Sequence, residues 1–268
     1  MKKTILIKLP FIETICRSVM YVLCNWKLYS KVASFGLVVL IFEMAGGFPV
    51  LCSLSDGNCQ ENIWQTVSSL LILLVSVGII VNYCRAVILK APTDFISAGF
   101  WKRSLKYILA TLLLGLVIVV PFLLLGIIYG IVLSFVKTVS PLNGADYIVM
   151  FVALIAWCVY LAPIFLVFAA ITVDDKTVTI KEAFRLTKGN FNKIFWGQSV
   201  MMIPGAILLY ILAFAYNGIG GEGFVINTIF TILVLALSFL DSCLKASFFA
   251  HIYQYFIFYK NKKAKSAK

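Results

Sequence analysis

The feature that most constrains this chain is a series of six apolar stretches, each long enough to cross a bilayer. A transmembrane helix needs about 20 mostly apolar residues, and six windows meet this requirement: 32–54, 63–88, 107–135, 146–172, 195–216 and 224–250. With 62% hydrophobic and 13% charged residues, the chain lacks the roughly 25% charge of a soluble domain. The sequence predicts an all-α membrane protein with one polytopic transmembrane domain over residues 1–260 and a basic cytoplasmic tail over residues 261–268.

The distribution of the Lys and Arg residues predicts how the chain is oriented. They concentrate before residue 32, between 85 and 106, between 176 and 193 and after 259, whereas the links 55–62, 136–145 and 217–223 carry little basic charge. Lys and Arg of short loops stay on the cytoplasmic side of a membrane. We therefore expect both termini in the cytoplasm, and the net charge of +12 needs no nucleic-acid partner.

Three amphipathic stretches, 11–29, 94–107 and 180–195, each come before an apolar window. Helices of this type lie in the membrane interface and turn their basic faces to anionic headgroups. The predicted lipid contacts are Lys102, Arg103, Lys106, Arg185, Lys188 and Lys193. The Gly189–Asn190 pair is expected to break or cap the third stretch. The chain thus reads as three helical hairpins, each preceded by an interfacial helix. This order reflects either a pseudo-threefold internal repeat or the independent placement of basic loops on the cytoplasmic side.

Ionisable and polar residues inside the apolar windows are candidates for function, because charge inside a bilayer is costly. Glu43 lies near the middle of the first window, either as a proton or cation site or as a structural carboxyl group, which we favour. Asp241 and Lys245 stand at i, i+4 spacing and favour a structural ion pair. Asn82 and Arg85 lie near the inner end of the second window. Convergence of these residues in one cavity would favour transport.

The histidine and cysteine residues show no recognisable metal or redox motif. The chain has one histidine, His251, predicted to be packed or to face headgroups, and seven cysteines without CxxC spacing. Cys52 and Cys59 lie near the predicted outer face and either form a disulfide or stay free. Walker A, dinucleotide-binding, HExxH and GxSxG motifs are lacking. We therefore expect no cofactor and disfavour an enzyme.

One segment resembles a known family. Ala162-Pro163, then Val173-Asp174-Asp175, then the run KEAFRLTKGNF at 181–191 are similar to the membrane domain of glycerophosphodiester phosphodiesterases and to related stand-alone proteins. We expect this chain to lack the catalytic domain of those enzymes. The resemblance implies a location in the bacterial inner membrane and a role in lipid handling or assembly.

Three functions follow from these observations, in order of preference. The first is a non-enzymatic protein that organises the membrane by contacting anionic lipid and by binding another membrane protein or itself. The second is a transporter of a small solute or lipid that uses Glu43 and the Asp241/Lys245 pair. The third and weakest is an intramembrane enzyme of lipid metabolism.

Overall fold

A computed structural model describes residues 8–45, 63–90, 97–135, 144–219 and 223–266. These residues are helical apart from short connections, and no strand occurs among them. The α-helices are α1 (Phe11–Cys24), α2 (Trp26–Ala33), α3 (Leu37–Ala45), α4 (Ile63–Leu89), α5 (Ala98–Phe135), α6 (Gly144–Leu161), α7 (Ile164–Thr172), α8 (Ile180–Leu186), α9 (Phe191–Ile219) and α10 (Phe224–Ser266). A 3₁₀ turn, Ser34–Gly36, joins α2 to α3.

Four of these helices are long and apolar enough to cross a membrane. The qualifying segments are Thr66–Leu89, Ala98–Pro121, Phe191–Ile219 and Phe224–Lys260. The pair Phe151–Leu161 and Ile164–Thr172 makes a fifth if it is one span, bent by 44°. The described residues therefore confirm an all-helical chain with four or five helices able to span a membrane. They do not confirm six spans, since the first predicted window, 32–54, is described only to Ala45.

The predicted span 146–172 is two helices because of Pro163. This residue stands between α6 and α7 as the N-cap of α7. Proline lacks the N–H that would continue the hydrogen-bond ladder, and its ring clashes with the carbonyl group of the preceding turn. Pro121 and Pro204, by contrast, lie inside the continuous helices α5 and α9.

Helices α4 and α10 form the centre of the bundle. Half of the α4 span (50%) is buried, against 11% of the α5 span, so α5 lies at the periphery. Helix α10 packs against α1, α4, α7 and α9. Gly197 permits the close contact of α9 with α10, because a Cβ atom there would lie 2.2 Å from Phe248 Cζ. Small residues of this kind let membrane helices approach one another.

The first two predicted interfacial helices take other forms in the structure. The stretch 11–29 is divided between α1 and α2, and α1 runs antiparallel along the C-terminal half of α10. Tyr255 Oη donates to Lys8 O at 2.8 Å, and Ser247 Oγ donates to Ser18 O at 3.0 Å. The stretch 94–107, where it is described, begins the long helix α5. Both stretches keep exposed apolar side chains, among them Ile12 and Met20 of α1 and Trp101 and Leu105 of α5, so the lipid contact predicted for them stays a prediction.

The third stretch follows its prediction more closely. Helix α8 ends at Leu186, and α9 begins at Phe191. Gly189 between them has a φ of 81°, a left-handed conformation that glycine adopts without steric cost. The predicted break at Gly189–Asn190 is therefore confirmed.

Candidate functional site

Several helix ends meet at one end of the bundle, which we call the basic end (residues 85–90, 97–106, 173–193 and 253–260). Gln254 Nε2 of α10 donates to Val87 O of α4 at 2.9 Å. Tyr253 Oη of α10 donates to Asp175 Oδ2 of the loop after α7 at 2.5 Å. Long-range contacts therefore gather most of the cationic segments of the sequence on one side of the molecule.

Asp174 joins α4 and α5 to the end of α7. Its Oδ2 lies 3.2 Å from Arg103 Nη1 and 4.0 Å from Arg85 Nη1, and Arg85 Nη1 also donates to Thr172 O at 3.3 Å. The Arg103 side chain is only 12% exposed. Arg103, predicted to contact lipid, and Arg85, a polar candidate near the inner end of the second window, thus both face the same carboxylate.

Asp175, the neighbouring carboxylate, holds the loop against α10. Besides the bond from Tyr253, its Oδ1 accepts a hydrogen bond from Thr177 N at 2.8 Å. Burial alone would raise the pKa of Asp175, but the hydrogen bonds from Tyr253 and Thr177 and the charge of Lys260 outweigh burial, so its pKa lies below the usual value. Asp175 is therefore anionic at neutral pH.

Helix α8 is capped and tied to α10 by polar contacts. Thr179 Oγ1 accepts from Glu182 N at 3.3 Å, a standard N-cap contact. Glu182 Oε1 lies 2.7 Å from Arg185 Nη2 and 3.5 Å from Lys260 Nζ. Arg185 remains 68% exposed and Lys188 is exposed, so both are accessible to an anionic surface, as their predicted role requires.

The segment before α1 docks on the start of α9. Leu9 N donates to Asn190 Oδ1 at 2.8 Å, and Lys193 Nζ donates to Leu9 O at 2.8 Å. The ammonium group of Lys193, which was predicted to contact lipid, is thus engaged by the protein backbone. Of the predicted lipid contacts on α5, Lys102 and Lys106 are exposed.

Two of the intramembrane candidates, Glu43 and Asn82, occupy separate positions. Glu43 is fully buried and accepts a hydrogen bond from Ser68 Oγ of α4. Ser68 and Asn82 lie roughly 21 Å apart along α4, at about 1.5 Å of rise per residue. Glu43 and Asn82 therefore do not share one cavity. Asp241 and Lys245 form the predicted pair at 2.5 Å. Cys52 and Cys59 lie outside the described residues.

A groove of about 390 Å³ between α1 and α10 was not anticipated from the sequence. Its lining residues are Pro10, Glu13, Thr14, Arg17, His251, Gln254, Tyr255 and Phe258. Glu13 and Arg17 form an ion pair at 2.5 Å within it. The groove exists only because α1 packs along α10. Ser18 and His251, which meet there, are 233 residues apart in the sequence, and no local sequence pattern predicts that contact.

Comparison with other proteins adds no relative. No family model, no curated protein and no solved structure matches this chain. The similarity of the 162–191 segment to phosphodiesterase membrane domains therefore stays a prediction. Among the residues that the structure describes, no group of three His, Cys, Asp or Glu side chains is placed to hold a metal ion.

Proposed function

We propose that this chain is a non-enzymatic, multi-pass protein of the bacterial inner membrane, with both termini in the cytoplasm, that binds anionic lipid headgroups through its basic end. The observation that carries the proposal is that exposed cations of the basic end lie beside exposed apolar side chains. Lys102 and Lys106 of α5 are exposed beside Trp101, which is 50% exposed, and Leu105, which is 67% exposed. Exposed tryptophan next to lysine is typical of the membrane–water interface.

The apolar sides of the peripheral helices support the same placement. Helix α5 exposes large aliphatic side chains between Leu105 and Ile127, among them Leu109, Leu112, Leu116, Val120 and Leu123. A patch of this size on a soluble protein would cause aggregation. Acyl chains cover such a surface at no cost, and the cations at the start of α5 then lie at the level of the headgroups. A partner helix or a second copy of the chain would cover the same surface, which is how we propose that the protein organises its membrane neighbours.

The test compares two pairs of exposed lysines with the same spacing. The variant Lys102→Gln/Lys106→Gln removes two cations at the basic end, and Lys27→Gln/Lys31→Gln removes two from α2. Helix α2 contacts α10 through Tyr29 and Ala236 O at 2.8 Å, and Ala236 lies roughly 25 Å along α10 from Tyr253. Native mass spectrometry would measure phosphatidylglycerol retained by each full-length variant.

A polybasic site gains about 1 kcal/mol per Lys or Arg near an anionic surface. We expect the α5 variant to lose phosphatidylglycerol roughly five- to thirtyfold and the α2 variant to change much less. Equal retention by the α5 variant and the unmodified chain would refute the proposal.

Transport is the second candidate, and the surroundings of Asp241 favour it. Asp241 Oδ1 is buried and lacks a hydrogen-bond partner within the described part of the chain, and a Cβ at Gly205 of α9 would lie 3.3 Å from that oxygen. A free acceptor beside the backbone of another helix is a place where a proton or cation can bind. Proton flux into proteoliposomes that is lost in Asp241→Asn but kept in Ser242→Ala would support transport; no flux in the unmodified chain would exclude proton transport.

A further inference from the structure

We infer that the groove between α1 and α10 binds the primary-ammonium headgroup of a zwitterionic aminophospholipid. The inference rests on the proposed function in one respect, because it takes the basic end to lie at the level of the headgroups. The groove belongs to this end: Tyr255, which lines it, donates to Lys8 O at 2.8 Å. Lys8 precedes Leu9, which docks on α9 through Asn190.

The tautomer of His251 is determined by its neighbours. Ser247 O lies 2.7 Å from His251 Nδ1, and the hydroxyl oxygens of Ser18 and Ser247 lie 3.4 Å from it. Ser18 Oγ donates its hydrogen to Thr14 O at 2.7 Å, and Ser247 Oγ donates its hydrogen to Ser18 O at 3.0 Å. All three oxygens around Nδ1 therefore act as acceptors towards it, and Nδ1 must carry the proton of the neutral ring.

The other ring nitrogen is consequently an acceptor. His251 Nε2 makes no hydrogen bond to any described residue, and the ring lines the groove. Gln254 adds a second acceptor, because its Nε2 is used by Val87 O at 2.9 Å and its Oε1 remains. Glu13 adds a carboxylate from the α1 side of the groove. Three acceptors of this kind suit a ligand group with several N–H donors and no acceptor, which is the description of a primary ammonium.

Arg17 provides the complementary charge for a phosphodiester. It pairs with Glu13 at 2.5 Å, with side chains 67% and 55% exposed respectively. An exposed ion pair is worth little on its own because water competes for both charges. A zwitterion can replace this one weak pair with two, ammonium to Glu13 and phosphate to Arg17. Phe258, 65% exposed at the same groove, offers an apolar surface to the adjoining glycerol and acyl region.

The acceptors predict discrimination among headgroups of equal net charge. Phosphatidylethanolamine presents N–H donors, whereas phosphatidylcholine presents methyl groups and offers no hydrogen bond to His251 Nε2, Gln254 Oε1 or the Glu13 carboxylate. Sites built to hydrogen-bond a donor reject analogues that lack it. Partial methylation of the ethanolamine nitrogen should therefore weaken binding in steps, as each N–H is removed.

The experiment measures this preference on the full-length chain. Equimolar phosphatidylethanolamine and phosphatidylcholine with identical acyl chains are offered to the purified protein, and native mass spectrometry gives the ratio of the two 1:1 complexes. We expect a ratio of roughly five to ten in favour of phosphatidylethanolamine, the effect of about one charge-assisted hydrogen bond in a partly exposed site. A ratio near one for the unmodified chain would overturn the inference.

Matched variants locate the preference. Glu13→Gln removes the carboxylate of the groove, and Glu182→Gln removes a carboxylate that is likewise paired with an arginine, Arg185, but lies outside the groove. The ratio should fall to near one in Glu13→Gln and persist in Glu182→Gln. His251→Phe should also abolish it, but that ring joins α1 to α10, so Glu13→Gln, an exposed position, carries the test if His251→Phe fails to fold. A preference that survives Glu13→Gln would place the lipid elsewhere and overturn the inference.

Two further arms separate the alternatives. Free phosphoethanolamine that binds the chain in phosphatidylcholine nanodiscs as tightly as phosphatidylethanolamine does would assign the groove to a soluble compound, overturning the lipid assignment. The variant Lys102→Gln/Lys106→Gln distinguishes this inference from the proposed function. If those lysines do not affect phosphatidylglycerol while Glu13→Gln still abolishes the ethanolamine preference, the proposed function fails and the groove stands.

Discussion

Tyr253 of α10 donates a hydrogen bond of 2.5 Å to Asp175 Oδ2, across 78 residues of sequence. This contact links the loop after α7 to the central helix of the bundle. The same loop carries Asp174, which faces Arg103 and Arg85. Two adjacent carboxylates therefore hold three helices together at the basic end, and Asp175 should contribute to stability in a way that depends on its ionisation.

Removal of the Tyr253 hydroxyl should destabilise the protein most at neutral pH. The pKa of Asp175 is lower in the folded chain than its usual value, so ionised Asp175 contributes stability that is complete above the unfolded pKa of about 3.9 and is lost as the pH falls through the folded pKa. Tyr253→Phe should cost about 1–2 kcal/mol at pH 7 and progressively less below about pH 4. Denaturant titration in detergent across pH measures this, with the 75% exposed Tyr210 changed to Phe as the control. A cost that does not diminish in acid would show that ionised Asp175 is not the acceptor.

A methyl group at Gly197 should disrupt the contact between α9 and α10. Its Cβ would lie 2.2 Å from Phe248 Cζ, and Phe248 is fully buried, so neither side can yield freely. We expect Gly197→Ala to lower stability by about 1–3 kcal/mol, whereas Gly115→Ala on α5, where a Cβ would meet no atom within 4 Å, should be neutral or stabilising by up to about 1 kcal/mol. Thermal unfolding compares the two. Equal effects would mean that α9 and α10 are not packed as described.

Asn190 should control how firmly the segment before α1 is attached. Its Oδ1 accepts from the buried Leu9 N at 2.8 Å, and Asn190→Ala leaves that amide without its acceptor, at a cost of about 1–2 kcal/mol. Hydrogen exchange at Leu9 should accelerate roughly five- to thirtyfold. The exposed Asn192, changed to Ala, is the matched control. Unchanged exchange at Leu9 in Asn190→Ala would contradict the docking of this segment.

Glu43 should tolerate amidation but not truncation. Glutamine retains an acceptor oxygen for Ser68 Oγ. Glu43→Ala removes that acceptor from the buried Ser68 hydroxyl group and opens a cavity. We expect the free energy of unfolding of Glu43→Gln to lie within about 1 kcal/mol of that of the unmodified chain, and that of Glu43→Ala to be lower by about 2–4 kcal/mol. Thermal unfolding gives both values. A stable Glu43→Gln variant that has lost a proton- or cation-dependent flux would instead give Glu43 a role in transport.

The helical class and most helix positions follow from local composition. The window 63–88 matches α4 (Ile63–Leu89) closely, and the spacing of Asp241 and Lys245 correctly predicts their ion pair. Both depend on interactions within a single helix, which a sequence displays directly. The sequence also predicts the helix break at Gly189, because the ability to adopt a positive φ is a property of that one residue.

The lengths of the helices and the partners of their amphipathic faces are harder to predict from the sequence. Helix α10 continues to Ser266 rather than ending near residue 250, and the stretch 94–107 is the start of α5 where it is described. An amphipathic pattern shows that a helix has an apolar face, but lipid and protein satisfy that face equally well. In α1 (Phe11–Cys24) the face that packs against the bundle buries Thr14, Ser18 and Val22, whereas Ile12, Met20 and Leu23 stay exposed.

The amino-acid sequence alone determined that this chain is helical, that several helices are apolar enough to span a membrane, and where its cations cluster, because each property arises from residues close together in the chain. Only the tertiary structure decided which of those cations are engaged. Arg103 forms an ion pair with Asp174, Lys193 donates a hydrogen bond to Leu9 O, and Lys102 stays exposed. In the sequence all three are simply basic residues next to a predicted span. The groove at His251 depends likewise on contacts across 233 residues, and such long-range pairing leaves no periodic trace in a single sequence.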